Sequence, residues 1–360
     1  MGENIVIEGL GIGEGRPCFI IAEAGVNHNG DIKLAKKLVD AAKRSGVDAV
    51  KFQTFRSKNL VTESAEMASY QEKNTGRKES QIKMLRKIEL SYPEFEELKR
   101  YCDSKGVMFL STPHTEDAAE FLDKIVPLFK VGSGDLTNIP FLEKLAKKGK
   151  PIMLSTGMST LEEVKEAVDA IKRYNKELIL LQCTTNYPCP KKDVNLKVMD
   201  TLRKETGCLV GYSDHTEGIG VSVMAAYLGA VVIEKHFTLD RKMKGPDHKA
   251  SLEPDELQKM VDEIRAIERD KNARKIVVPK IILGNGIKKP TKQELKIMKI
   301  ARKSIVSAKN IKKGARITED MIIMKRPGIG IEPNDLAKVL GRTAKKNIKK
   351  DELISFDMLS

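Results

Sequence analysis

From residue 18 onward the chain alternates short β-branched or aliphatic runs with longer stretches in which apolar residues recur at every third or fourth position. The short runs are CFIIAEAG (18–25), DAVKFQT (48–54), VMFLSTP (107–113), LFKVGSG (128–134), PIMLSTG (151–157), LILLQCTTNYP (178–188), LVGYSDHT (209–216) and VVIEKHFTLD (231–240). This strand-then-helix grammar predicts a parallel α/β fold, and eight strands are the number that closes a barrel. The intervening stretches, such as DIKLAKKLVDAAKRSG and YPEFEELKRYCDSKG, end at Gly after a basic last turn and read as outer helices. The excursion from Phe55 to about Leu90 is too polar for one packed helix and is expected to form a loop or lid over the site. After about Asp270 the period changes. A basic, Pro/Gly-marked linker, 271–291, leads into a region of short strands and turns, 292–360. The expected organisation is thus α/β: a (β/α)8 barrel over 1–270, the linker, and a small β-rich domain whose limited core needs the barrel or a partner subunit for support.

The length of 360 residues suits a barrel of roughly 250 residues with an appended domain. No apolar stretch approaches the ~20 residues of a membrane span, and MGENIVIEGLGIGEGRP lacks a basic flank followed by a signal-type apolar core. A cytoplasmic protein with no membrane partner is expected. Cys18, Cys102, Cys183, Cys189 and Cys208 are scattered, form no C-x-x-C pair, and read as reduced, buried thiols. The net charge of +14 is interleaved with 50 acidic residues along helices, as in LEEVKEAVDAIKRYNKE, which indicates a solvated surface. With no Trp and 5% aromatics there is little to stack bases, so no nucleic-acid partner is expected. The excess charge can still draw in anionic substrates.

Catalytic groups of barrel enzymes project from the C-terminal ends of the strands. Here those ends carry Glu23, Lys51 and Gln53, Thr112, Lys130, Ser133 and Asp135, Ser155, Asn186 and Tyr187, Ser213 and His215, and Glu234 and His236. All five histidines fall in or just after predicted strands, none within an outer helix. His215 and His236 lie on adjacent predicted strands and can converge on one ion; with Glu23, Gln53 and Asp247 as oxygen ligands and no thiolate, such a site suits Mn(II), or Mg(II) or Co(II), better than a closed structural zinc. Lys51 and Lys130 sit inside apolar strands, where an ammonium needs an anion. That anion is either an internal carboxylate, Glu23 or Glu234, or a small doubly anionic substrate such as phosphoenolpyruvate.

The segments IAEAGVNHNG, AVKFQT, FLSTP, KVGSGD, PIMLSTGM, TTNYPCP, GYSDHT, EKHFTLD and KGPDHKASLEP, in this order, resemble the sialic acid synthase family with its legionaminate and pseudaminate relatives. IKKGARIT, KRPGIGI and LGR resemble the antifreeze-like (SAF) domain that follows the barrel there. The resemblance implies condensation of phosphoenolpyruvate with an N-acetylated hexose, and a metal held by His215 and His236. It places phosphoenolpyruvate on Lys51, Thr112, Lys130, Ser133, Ser155, Asn186 and Ser213, and sets Glu23, Gln53 and Asp247 at the reacting centre. It also implies a homodimer in which the antifreeze-like domains are exchanged, with Arg342, Tyr187 and Asp135 at the amino-sugar. Two departures touch the sugar site: Asp135 stands where N-acetylneuraminate synthases often have Glu, and KQELKIMKIARKS lacks an aromatic that some members supply. The rival readings are a phosphoenolpyruvate aldol synthase acting on a sugar phosphate, a Schiff-base aldolase using Lys51 or Lys130, and a non-catalytic sugar-binding protein.

Overall fold

The computed structural model describes residues 4–76, 79–270 and 275–360; positions 271–274 of the expected linker and 77–78 of the excursion lie outside them. A hairpin of β1 (Ile5–Ile7) and β2 (Leu10–Ile12), not anticipated from the sequence, precedes eight strands: β3 (Phe19–Gly25), β4 (Ala49–Thr54), β5 (Met108–Pro113), β6 (Phe129–Val131), β7 (Ile152–Ser155), β8 (Leu178–Cys183), β9 (Leu209–Asp214) and β10 (Val232–His236). All eight predicted strands are present. Their order is β5-β4-β3-β10-β9-β8-β7-β6 with parallel pairing, and β5 and β6 lie side by side, which closes the barrel.

The outer helices follow from local sequence. In Leu161–Lys172, Thr160 and Glu163 form a reciprocal capping box, and Val164, Ala167, Val168 and Ile171 turn one apolar stripe inward. Tyr92–Lys105 starts on the Ser91/Glu94 box and stops at Gly106, whose φ of +63° suits a residue without a Cβ.

Inside the barrel, side chains alternate with period two, and each inward row changes character along its strand. The rows run Ile21 to Glu23, Ala49 to Lys51 and Gln53, Leu110 to Thr112, Leu128 to Lys130, Met153 to Ser155, Leu181 to Cys183 and Val232 to Glu234 and His236; the apolar members share one buried cluster and the polar ones line one cavity. Ile5, Ile7 and Ile12 of the hairpin join that apolar cluster and seal the N-terminal end. A Cβ on Gly211 would meet the Val232 carbonyl oxygen at 2.5 Å and Leu181 Cδ2 at 2.7 Å, so only glycine lets β9 pass here.

On the outward face, Lys235 pairs with Asp214 at 3.0 Å, both fully buried, and joins the ends of β9 and β10. Asp214 also accepts from Ser222 Oγ and Thr216 N. Replacing Lys235 with methionine strands a buried carboxylate, with an expected loss of about 3–5 kcal/mol of unfolding free energy, measurable by denaturant titration. An unchanged midpoint would show that the pair adds nothing to stability.

The excursion is not a bare loop. It folds as short helices, Ser57–Leu60, Ser69–Thr75 and Gln81–Ile88, over a cluster that includes Phe55, Leu60, Met67, Met84, Leu85 and Ile88. Its polarity comes from the outward positions, while the apolar ones are spaced for short helices. Beyond the barrel, β11 (Ser304–Ser307) and β12 (Ile322–Lys325) pair antiparallel over a small core that includes Ile305, Ile317, Val339 and Ile354. This domain rests on the barrel of its own chain: Arg326 N donates to Leu60 O at 3.0 Å, and Thr62 N donates to Arg326 O at 3.0 Å.

Candidate active site

The polar halves of the inward rows form a cavity at the C-terminal ends of the strands. At its floor Lys51 contacts Glu23, lies 3.1 Å from Thr112 Oγ1 and 3.6 Å from Glu234 Oε2. Lys130 donates to Ser155 Oγ at 2.8 Å and lies 3.4 Å from the same Glu234 oxygen. Ser213 Oγ donates to Glu234 Oε1 at 2.8 Å, and Gln53 Nε2 donates to Glu23 Oε1 at 3.1 Å. In the free protein, therefore, both lysines have internal carboxylate partners. The ammonium of Lys130 has three donors, spread over the Ser155 hydroxyl, the Val131 carbonyl at 3.5 Å and Glu234, and the two longer contacts are the ones an incoming anion can replace.

Burial pushes Glu234 up, but Lys130 and Lys51 outweigh it and hold the carboxyl at about 2. Glu23 goes the other way: burial and the Glu234 charge raise it, against the pull of Lys51. The two carboxylates are thus split into a firmly ionised one and one that can carry a proton. His114, also in the cavity wall, is driven well below its ordinary value by burial and by Arg326, Lys303, Lys51 and Lys130. Burial is the main cause of that depression, and the four nearby cations add to it.

His215 and His236 face each other with ring centroids 5.6 Å apart, and Tyr187 packs against both. His215 Nδ1 donates to the Thr184 carbonyl at 2.8 Å, so that in the neutral ring Nε2 carries the lone pair, although, against burial, the neighbouring Cys183 raises the ring above its ordinary value. His236, neutral through burial, has a buried Nδ1 without a hydrogen-bond partner. Asp247 stands in the same wall, its carboxyl pushed up to about 7 by burial and by Glu23, although His215 pulls it down. Among the described residues no group of three or more His, Cys, Asp or Glu side chains is placed to hold a metal ion, so the two imidazoles would be the protein's share of any such site. Two imidazoles, one with an orphaned nitrogen, beside a carboxyl that lacks a cation fit an open divalent-metal site completed by water or substrate oxygens.

The structure brings Glu23, Gln53, Asp247, Lys51, Thr112, Lys130, Ser133, Ser155, Ser213, Tyr187, His215 and His236 to one cavity. It does not bring Asp135, Asn186 or Arg342 there. Asp135 pairs with Lys303 at 2.7 Å, a buried cation from the chain after the linker. Asn186 is skipped, while its neighbours Thr185 and Tyr187 line the wall. Arg342 is exposed on the small domain, its guanidinium 5.5 Å from the Phe356 ring centroid. The arginine that reaches the cavity is Arg326 of KRPGIGI, and Glu234 and Cys183 are there too. The last two were accessible from the alternation along β10 and β8. Arg326 was not, because its place depends on how the small domain sits on the excursion.

A closed parallel barrel with buried ionic groups gathered at the C-terminal ends of its strands has the architecture of a barrel enzyme. Residues 38–275 match the NeuB family and residues 302–360 the SAF domain; the chain belongs to the NeuB family. The N,N'-diacetyllegionaminic acid synthase of Campylobacter jejuni is 47% identical over 93% of this chain and 98% of its own, and that of Legionella pneumophila 44% over 97% and 96%. The crystal structure of the spore coat polysaccharide biosynthesis protein SpsE from Bacillus subtilis superposes with a TM-score of 0.84 at 32% identity, covering 99% of both chains.

Proposed function

We propose that the protein condenses phosphoenolpyruvate with the open-chain aldehyde of an N-acetylated amino-sugar to give a nonulosonic acid and phosphate. The carrying observation is the two lysines Lys51 and Lys130, set among Thr112, Ser133, Ser155 and Ser213 at the closed floor of the cavity. Lysine ammoniums and hydroxyls are the donors that a phosphate and a carboxylate need. At the rim, Tyr187 and Arg326 adjoin an apolar wall of Phe55, Leu60, Met84, Leu85 and Ile88, which suits an acceptor carrying methyl groups.

C3 of phosphoenolpyruvate attacks the aldehyde carbon, and the aldehyde oxygen takes the proton that buried Glu23 carries, becoming a hydroxyl. Water adds at the cationic C2 and returns a proton to Glu23; the C2–O bond to phosphate then breaks as the new C2 hydroxyl gives its proton to the departing phosphate, leaving the 2-keto group. Burial equips Glu23 to hold that proton, and Gln53 fixes its orientation. Lys51 and Lys130 hold the phosphate and carboxylate charge throughout. His215 and His236 would hold a divalent cation, Mn(II) or else Mg(II) or Co(II), with water or substrate oxygens completing its shell and Asp247 in the same wall; its chemistry is to polarise the aldehyde carbonyl. No helix among the described residues is long and apolar enough to cross a membrane, and the five cysteines are unpaired, which suits the cytoplasm.

The test is phosphate release by metal-stripped protein with Mn(II) restored, across N-acetylated hexoses and sugar phosphates. Turnover with an unphosphorylated acceptor is expected, with an 18O label in the bridging enol oxygen recovered in phosphate. Label retained in the sugar acid would rule out C–O cleavage, and turnover confined to sugar phosphates that lack an N-acetyl group would establish the aldol-synthase reading. We also propose a homodimer, supported by the exposed Val277, Ile281, Ile287 and Leu295 along the connecting segment; the expected exchange of small domains is not part of it, because this domain docks on its own chain's barrel through Lys303–Asp135 and Arg302–Glu163. Light scattering at the mass of a single 40.1 kDa chain would overturn the dimer.

A further inference from the structure

The segment that joins the barrel to the small domain contains the helix Glu294–Ala301. Glu294 caps it in a T-x-x-E box: Oε2 accepts from Thr291 N at 2.9 Å, and Thr291 Oγ1 accepts from Glu294 N at 3.2 Å. The other carboxylate oxygen leaves the helix altogether. Oε1 accepts the backbone N–H of Met158 and that of Thr185, each at 2.8 Å, from the loops that follow β7 and β8. Glu294 is 3% exposed, so these are charge-assisted bonds in a dry setting.

Both loops belong to the cavity. Met158, in a left-handed conformation with φ of +59°, is held at its other backbone group as well, since Arg302 Nη2 at the far end of the same helix donates to its carbonyl at 2.8 Å. Its neighbour Gly157 donates from its N–H to Ser133 Oγ at 2.9 Å, and a Cβ there would meet Thr185 Oγ1 at 2.2 Å. A displacement of Met158 therefore passes directly to Ser133 and to the Thr185 turn, both of which face the cavity.

We propose that Glu294 is a positioning residue for the condensation proposed above: it ties the β7 and β8 loops together so that Ser133 and the wall at Thr185 stand in register for the anionic substrate. The connecting helix is on this view a working part of the barrel's site. The role rests on that reaction, but the tether can be tested apart from it.

The experiment uses the full chain and its Glu294→Ala and Glu294→Gln variants. Hydrogen exchange is followed in peptides covering 155–159 and 183–187, and steady-state rates are measured with phosphoenolpyruvate varied, below the thermal transition of each protein. Alanine is expected to speed exchange in those two segments and to lower kcat/KM by about 10- to 100-fold. Glutamine keeps a carbonyl oxygen for both amides and is expected to recover kcat/KM to within about threefold of the parent. A residue that only stabilised the fold would lower Tm in the alanine variant and leave kcat/KM intact, and that result overturns the proposal. Unchanged exchange in both segments overturns the tether. Absence of turnover in the parent sinks the reaction, and the catalytic half of the proposal with it, while the exchange measurement still decides the tether.

Discussion

Replacing Lys51 with methionine is expected to slow turnover severely and to destabilise the protein in a pH-dependent way. The ammonium touches Glu23 and lies 3.6 Å from Glu234, all three groups being almost completely buried. At an effective dielectric of about 20, opposite charges about 4 Å apart attract by about 4 kcal/mol. Removing the cation leaves two carboxylates facing each other in a dry site, a change that costs about 3–5 kcal/mol. The sign with pH follows from Glu23, which burial and Glu234 already raise and which loses its main compensating charge in the variant. A carboxyl raised in the folded state penalises folding while the pH is above that raised value, and the penalty fades as the pH falls and the group protonates. The difference in unfolding free energy between parent and variant should thus be largest at alkaline pH and shrink as the pH falls through the raised Glu23 value. A difference that grew on acidification would mean that Lys51 is not the counter-ion of Glu23. Phosphate release should fall by about 10³-fold, as for the loss of a charged group at the reacting centre.

Substituting His215 or His236 with alanine should remove both metal retention and activity. Each ring supplies a nitrogen that the protein leaves without a better partner: Nε2 of His215, whose other nitrogen donates to Thr184, and Nδ1 of His236, buried and unpartnered. A single remaining imidazole with oxygen ligands should hold Mn(II) at least about 100-fold more weakly, seen by equilibrium dialysis. Turnover in the parent should respond to a chelator and return with Mn(II), whereas the variants should respond to neither. Activity in the parent that ignores chelation would remove the metal from the mechanism.

Most of the barrel was readable from the chain, because a buried parallel strand must be an apolar run and an outer helix must carry a stripe. The polar strand ends were equally plain, and the cavity collects most of the residues found there. Glu234 was already visible as a strand-end carboxylate and candidate partner for the lysines, whereas Cys183 was read only as a buried thiol, its place in the cavity showing once the inward rows are aligned. What escaped depends on contacts between distant segments. The side chain of Asp135 turned to Lys303 far along the chain, and Arg326 entered the wall only because Val61 and Arg326 form a bridge between the excursion and the small domain. The hairpin of β1 and β2 was missed because two three-residue strands leave almost no periodic signal.

That hairpin has a bearing on the order of events. With Ile5, Ile7 and Ile12 packed into the lower barrel, the vessel opens at one end, and the lysines lie at its base beneath the wall that receives the acceptor. A molecule bound at the base is covered by whatever binds above it. Phosphoenolpyruvate should therefore load before the sugar, and the sugar-derived acid should depart ahead of any phosphate still held by Lys51 and Lys130.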